Sequence, residues 1–178
     1  MPIRDILLLG NPRLYERCAP VEPGEVAALR SVVLDLHDTL HDFRRRWGAG
    51  RAIAAPQIGV MKRLVYMHVD EPVAFVNPVL DRLSPERIEL WDDCMSFPGL
   101  RVRVRRHRTC RVVFRDLEWR PREMTLSDDL SELLQHECDH LDGVLAVARA
   151  VGPHPFALAS ELPQPVPGPV VLDATGDR

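Results

Sequence analysis

Gln135-His136-Glu137-Cys138-Asp139-His140 is an HExxH sequence set inside a run with helical periodicity. Residues four apart share one helix face, so both imidazoles can reach a single metal ion while the glutamate touches a metal-bound water. The surrounding stretch supports the helix. Thr125-Leu126-Ser127-Asp128 fits a capping box, Leu130, Leu133, Leu134 and Leu141 form an apolar stripe, and Gly143 closes it. At about 100° per residue the histidines fall at the edge of that stripe and Glu137 inside it. Two imidazoles and a carboxylate in an apolar setting are costly without partners. An ordinary salt-bridged surface helix is the alternative to a metal site.

A metal centre needs a third protein ligand. Metzincin peptidases place a histidine six residues after the second histidine of the motif, where this chain has Ala146. A gluzincin-like ligand would be Glu161, beyond Pro153 and Pro155. Upstream, Cys94 lies in Trp91-Asp92-Asp93-Cys94-Met95-Ser96-Phe97-Pro98-Gly99, a polar, turn-prone loop that suits a thiolate, although a lone cysteine is commonly a buried apolar residue.

Further out, residues 25–47 carry Val26, Leu29, Val32, Val33, Leu36, Leu40 and Phe43 at steps of three and four, which predicts an amphipathic helix. Arg44-Arg45-Arg46 reads as its solvated, dipole-favoured C-terminal turn. Residues 64–67, 73–76 and 111–114 read as short strands. Residues 101–105 alternate arginine and valine, predicting a half-exposed antiparallel strand with valines inward. Nine arginines lie between Arg101 and Arg122. They are either a solvated face or an electrostatic contact with ribosomal RNA or an anionic substrate.

The 178 residues, 46% hydrophobic, suffice for one core without disulfides. A net charge of -3 excludes bulk attraction to nucleic acid or an anionic membrane, and no apolar run approaches a membrane span or a signal peptide. The expectation is a cytoplasmic protein whose four cysteines, Cys18, Cys94, Cys110 and Cys138, are reduced. Prolines crowd the chain after Gly152. Residues 1–150 are expected to form a single hydrolase domain and 151–178 a Pro-rich, partly irregular extension, draped on the surface or disordered from about Pro163.

Three motifs in order now give a pattern that resembles the peptide deformylase family: Gly50-Arg51-Ala52-Ile53-Ala54-Ala55-Pro56-Gln57, Asp92-Asp93-Cys94-Met95-Ser96, and Gln135 to His140. Ile6 to Pro23, Asn77-Pro78 and Phe97-Pro98-Gly99 extend the resemblance over roughly residues 3–149. It implies an α+β fold with small antiparallel sheets packed around the central helix that carries HExxH. It implies that Cys94, His136 and His140 hold one divalent metal, typically Fe(II), with Ni, Co or Zn as substitutes. Glu137 would be the general acid and base, while the Gln57 side chain and the Met95 backbone N–H would meet the oxyanion. Arg51, Ala52 and Ile53 would lie at the peptide-binding edge. The implied reaction removes the N-formyl group from nascent polypeptides. A related hydrolase acting on another N-formylated compound, or an inactive binding module, are the alternatives. Asp92-Asp93 stands where Glu-Gly is usual, Ala52 where a second glycine is usual, and Ala148 where the family commonly has Asp. The metal ligands are untouched, so these departures bear on how the substrate backbone is held.

Overall fold

The computed structural model describes residues 3–172; Met1, Pro2 and the last six residues of the expected tail lie outside the described residues. Two antiparallel sheets flank one helix. The first sheet has the order β1-β2-β3-β6-β7, from strands Ala52–Ala54, Leu64–His68, Pro72–Asp81, Thr109–Arg115 and Pro121–Ser127. The second has the order β8-β5-β4-β9, from Phe156–Leu158, Leu100–His107, Arg87–Asp93 and Val170–Leu172. Helix α1 spans Val26–Trp47 and α2, with HExxH, spans Asp128–Leu141. The α+β class with a central HExxH helix is the observed one.

α2 touches β1, β2, β3, β6 and β7 of the first sheet and β5 of the second. This position explains why Ser131–Cys138, His140 and Leu141 are all buried, although the sequence shows only one leucine stripe. Burial on both sides raises the cost of every polar group on the helix, so each must find a partner.

The helix begins differently from the expected capping box. Thr125 pairs with Arg111 in the β6–β7 ladder, so the strand runs on to Ser127, which is the N-cap without a side-chain capping bond. Asp128 takes a left-handed φ of 50°, and its N–H donates to the Arg108 carbonyl at 2.7 Å. Tertiary pairing overrides the local capping signal here. At the other end, Gly143 has φ 72°, and a Cβ there would sit 2.5 Å from the Tyr15 carbonyl oxygen. Only glycine allows the N-terminal segment to pass this close, where Cys18 N–H donates to the Leu141 carbonyl.

The strand segment read as 73–76 is the middle of a ten-residue strand. Pro78 is tolerated because the register shifts between Val76 and Val79, with Asn77 at φ 51°. The alternating stretch behaves as expected: Val102 and Val104 are wholly buried on β5. Within the C-terminal extension, β8 pairs with β5 and β9 with β4, so part of the proline-rich segment is laid along both edges of the second sheet.

Candidate metal centre and active site

Cys94 comes from the end of β4. The expected loop 91–99 is a strand up to Asp93, since Trp91, Asp92 and Asp93 pair with Arg103, Val102 and Arg101 of β5. The chain turns immediately afterwards and delivers the thiol to α2. Cys94 Sγ lies 3.2 Å from His140 Nε2, and the ligand atoms of Cys94, His136 and His140 all lie within 4.8 Å of one another. Glu161 is exposed and outside this group, so the structure gathers the thiol rather than the carboxylate as third donor.

His136 Nδ1–H donates to Asp92 Oδ2 at 3.0 Å, so Nε2 is the ring nitrogen left to act as a ligand once it is free of its proton. Asp92 in turn accepts from Arg106 Nη2 at 3.1 Å, and Arg106 also pairs with Asp139, which holds Arg149. Asp92 and Arg106 are 4% and 3% exposed, so this is a buried chain of alternating charges. Sequence reading missed both residues. A signal was present for Arg106, which continues the inward parity of Val102 and Val104 on β5.

The two imidazoles are driven apart in basicity. Burial disfavours protonation of His136, but the Asp92 carboxylate and Cys94 outweigh it and raise its pKa well above the ordinary value. Burial, reinforced by the charge of His136, lowers that of His140 well below. His140 Nδ1 is buried without a hydrogen-bond partner. A thiol sulfur and two ring nitrogens converging in a buried position, one ring oriented by a carboxylate, form a donor set that fits a divalent transition ion.

Glu137 is 3% exposed, with Oε2 unpartnered. Burial pushes its carboxyl up to about 7, the charge of His136 opposes this, and the carboxylates of Asp92 and Glu132 add to it. A carboxyl poised near neutrality can both accept and return a proton. Gln57 is no exposed loop amide. It is 1% exposed on the turn Ala55–Ile58; its Oε1 accepts from Ala54 N–H at 2.9 Å, and its Nε2 donates to Ser96 Oγ at 3.2 Å and lies 3.6 Å from Cys94 Sγ. Gln135 clamps the helix to β5 by accepting from His107 N–H and donating to the His107 carbonyl.

A cavity of about 360 Å³ opens over this centre, lined among others by Arg51, Ala52, Gln57, Met95, His136 and Glu137. Arg51 is at its rim, but its guanidinium is already engaged by Glu132 and by Asp129 Oδ2. Ala52 is 4% exposed and packs into the core as well as the cavity wall, whereas Ile53 is fully buried, pairs with Tyr66 of β2, and is not among the cavity-lining residues.

A helix-borne histidine pair with a strand-end thiol and an unpartnered acid beside them defines the class, an HExxH metallohydrolase. Within it, the chain belongs to the polypeptide deformylase family, whose model matches residues 3–155. A peptide deformylase of Leptospira biflexa is 33% identical over 163 residues, covering 84% of this chain and 88% of that one. A peptide deformylase of Parafrankia is 38% identical over 151 residues, with 84% and 79% covered. The crystal structure of the Thermotoga maritima peptide deformylase superposes with a TM-score of 0.79 at 28% identity, covering 85% of this chain and all of that one. The Legionella pneumophila enzyme gives 0.77 at 35% identity, with 85% and 88% covered. Enzymes of this family hydrolyse the N-formyl group from nascent polypeptides, and this chain is one of them.

Proposed function

We propose that Glu137, Gln57 and Met95 carry the deformylation chemistry around a divalent ion held by Cys94, His136 and His140, with Fe(II) as the native metal. The observation that carries this reading is the buried convergence of one thiol and two imidazoles beside an unpartnered Glu137 carboxyl. When bound, the ion supplies electrophilic activation of a water molecule at neutral pH. Glu137 takes the proton of the attacking water and hands it to the departing amine. The C–N bond of the formamide breaks, formate leaves, and the free α-amino group remains. The Gln57 Nε2–H and the Met95 backbone N–H donate to the oxygen of the tetrahedral intermediate. Asp92 holds His136 in its ligating tautomer.

The peptide is proposed to run along the free edge of β1. Arg51 C=O accepts from His68 N–H towards β2, so the pleat turns the backbone groups of Ala52 to the open side. Arg51, Ala52 and Ile53 thus form the edge, with Ala52 offering the hydrogen bonds and Ile53 anchoring it in the core. Because Arg51 is paired with two carboxylates, a free substrate carboxylate gains little from it: formyl-Met-Ala and its amide are expected to differ less than threefold in kcat/KM, and equally in Arg51→Leu.

Residues 1–150 are read as the catalytic domain and 151–178 as its extension. Among the described residues no helix is long and apolar enough to cross a membrane, and a cytoplasmic setting suits the substrate. In the Arg-rich 101–122 segment, Arg101, Arg103, Arg105, Arg106, Arg108, Arg111, Arg120 and Arg122 all face carboxylates. This favours an ion-paired face over a ribosomal RNA contact there. The test is formate release from formyl-Met-Ala by anaerobically purified protein, with metal analysis, against other formylated amines. Release from the peptide supports the reading; turnover confined to a different formylated amine overturns its substrate.

A further inference from the structure

Seven histidines occur in the chain, and only two serve the centre described above. Three others meet elsewhere. His37 and His41 lie one turn apart on α1, and His68 ends β2. Ring centroids are 4.3 Å apart for His37 and His41, 5.0 Å for His41 and His68, and 5.9 Å for His37 and His68. One ring nitrogen from each lies within 4.8 Å of the other two, the same closeness found for Cys94, His136 and His140. His41 Nε2 and His68 Nδ1 are 2.9 Å apart, and His37 Nδ1 is 2.7 Å from the Tyr66 hydroxyl, itself 3.5 Å from His68 Nδ1.

All three histidines are half-buried, so water and ions reach them while the scaffold holds them. Two imidazole nitrogens at 2.9 Å can share only one proton between them, and three protonated rings at these separations repel one another. Burial first, then the charges of His37, Arg44 and His68, lower the pKa of His41, which favours the neutral form that ligates metals. A helical i, i+4 histidine pair completed by a third imidazole from an adjacent strand is a sound scaffold for a tetrahedral ion with one position left open.

We propose that His37, His41 and His68 form a second binding site for a divalent transition ion of the zinc, nickel or copper class, with the Tyr66 hydroxyl or water as the fourth donor. The ligand set is three neutral imidazoles beside the Arg44 cation, against a thiolate and two imidazoles at the catalytic centre, so the second ion is held more weakly. Its position gives it a consequence. Arg44 donates to the carbonyls of Gly50 and His68, and His68 N–H donates to the Arg51 carbonyl. An ion there fastens α1 to β2 directly behind the Gly50–Arg51 rim of the catalytic cavity.

The holoenzyme is equilibrated with excess zinc chloride, desalted, and its total metal per chain measured. Two equivalents are expected for the wild type and one for His41→Asn and for His68→Asn, with formate release from formyl-Met-Ala retained. In the wild type, zinc should also protect His37, His41 and His68 from diethyl pyrocarbonate, mapped by mass spectrometry, while His154 reacts equally with and without zinc. A single equivalent in the wild type, a second one surviving in both variants, or absence of protection at these three residues would each overturn the proposal. The protection arm needs no variant to fold, and catalytic failure alone would leave both readouts standing.

Discussion

The Asp92 carboxylate and the His136 imidazole are joined at 3.0 Å with both groups buried, and this bond decides which nitrogen of His136 is left for a ligand. The carboxylate belongs to the second motif, Asp92-Asp93-Cys94-Met95-Ser96, and is packed against Arg106.

Asp92→Asn keeps the shape but loses the charge that fixes the His136 tautomer. Metal affinity is expected to fall by about 10- to 100-fold, read by chelator competition, with the far-UV spectrum unchanged. Unaltered affinity would mean that Asp92 only balances Arg106.

Cys94→Ala, His136→Ala and His140→Ala should each lose metal and activity together, because each leaves two protein ligands. Stoichiometric metal in Cys94→Ala, counted at the site by anomalous scattering, would contradict the assignment of the thiol.

Thiol chemistry offers an independent check. Burial pushes Cys18 up to about 11 and raises Cys110 and Cys138 as well. These three should stay protonated and unreactive in the folded protein. Chelating the metal should therefore leave Cys94, which lines the cavity, as the one thiol open to a disulfide reagent. Iron-loaded samples should lose activity in air faster than nickel-loaded ones, since a thiolate on redox-active iron oxidises more readily.

Glu132 gives a pH signature. Burial, then the Asp92 carboxylate, push its carboxyl up to about 7 against the pull of Arg51. A carboxyl whose folded pKa exceeds its unfolded value contributes stability that is full below about 4.5 and lost as pH rises towards 7. The metal-free wild type should therefore lose stability across that window more steeply than Glu132→Gln, by up to about 1.4 kcal/mol per pH unit. Parallel denaturation profiles would show that Glu132 ionises normally.

Much of this molecule is legible in its sequence, and the exceptions share a cause. The α1 stripe and the Arg-Val alternation of β5 are periodic and were readable as such, since one face of each is buried and the other is not. β7 and the end of β4 were not, because Thr125 and Asp92 carry turn or capping signals that long-range pairing overrides. The proposed ligands Cys94, His136 and His140 stand in the second and third of the three ordered motifs, and the structure brings them together. The Asp92–Arg106 support joins residues fourteen positions apart across two strands, and register of that kind is invisible to local patterning. The His37, His41 and His68 group is scattered between a helix and a strand for the same reason.

The most direct measurement of the central claim compares Glu137→Gln with the wild type, both metal-loaded, in formate release from formyl-Met-Ala. The amide can hydrogen-bond the attacking water but cannot take its proton. The expected result is a full equivalent of catalytic metal, an unchanged melting profile and turnover lower by about 10²-fold or more. Turnover within a few-fold of wild type, or loss of the metal with the carboxylate, would contradict the role assigned to Glu137.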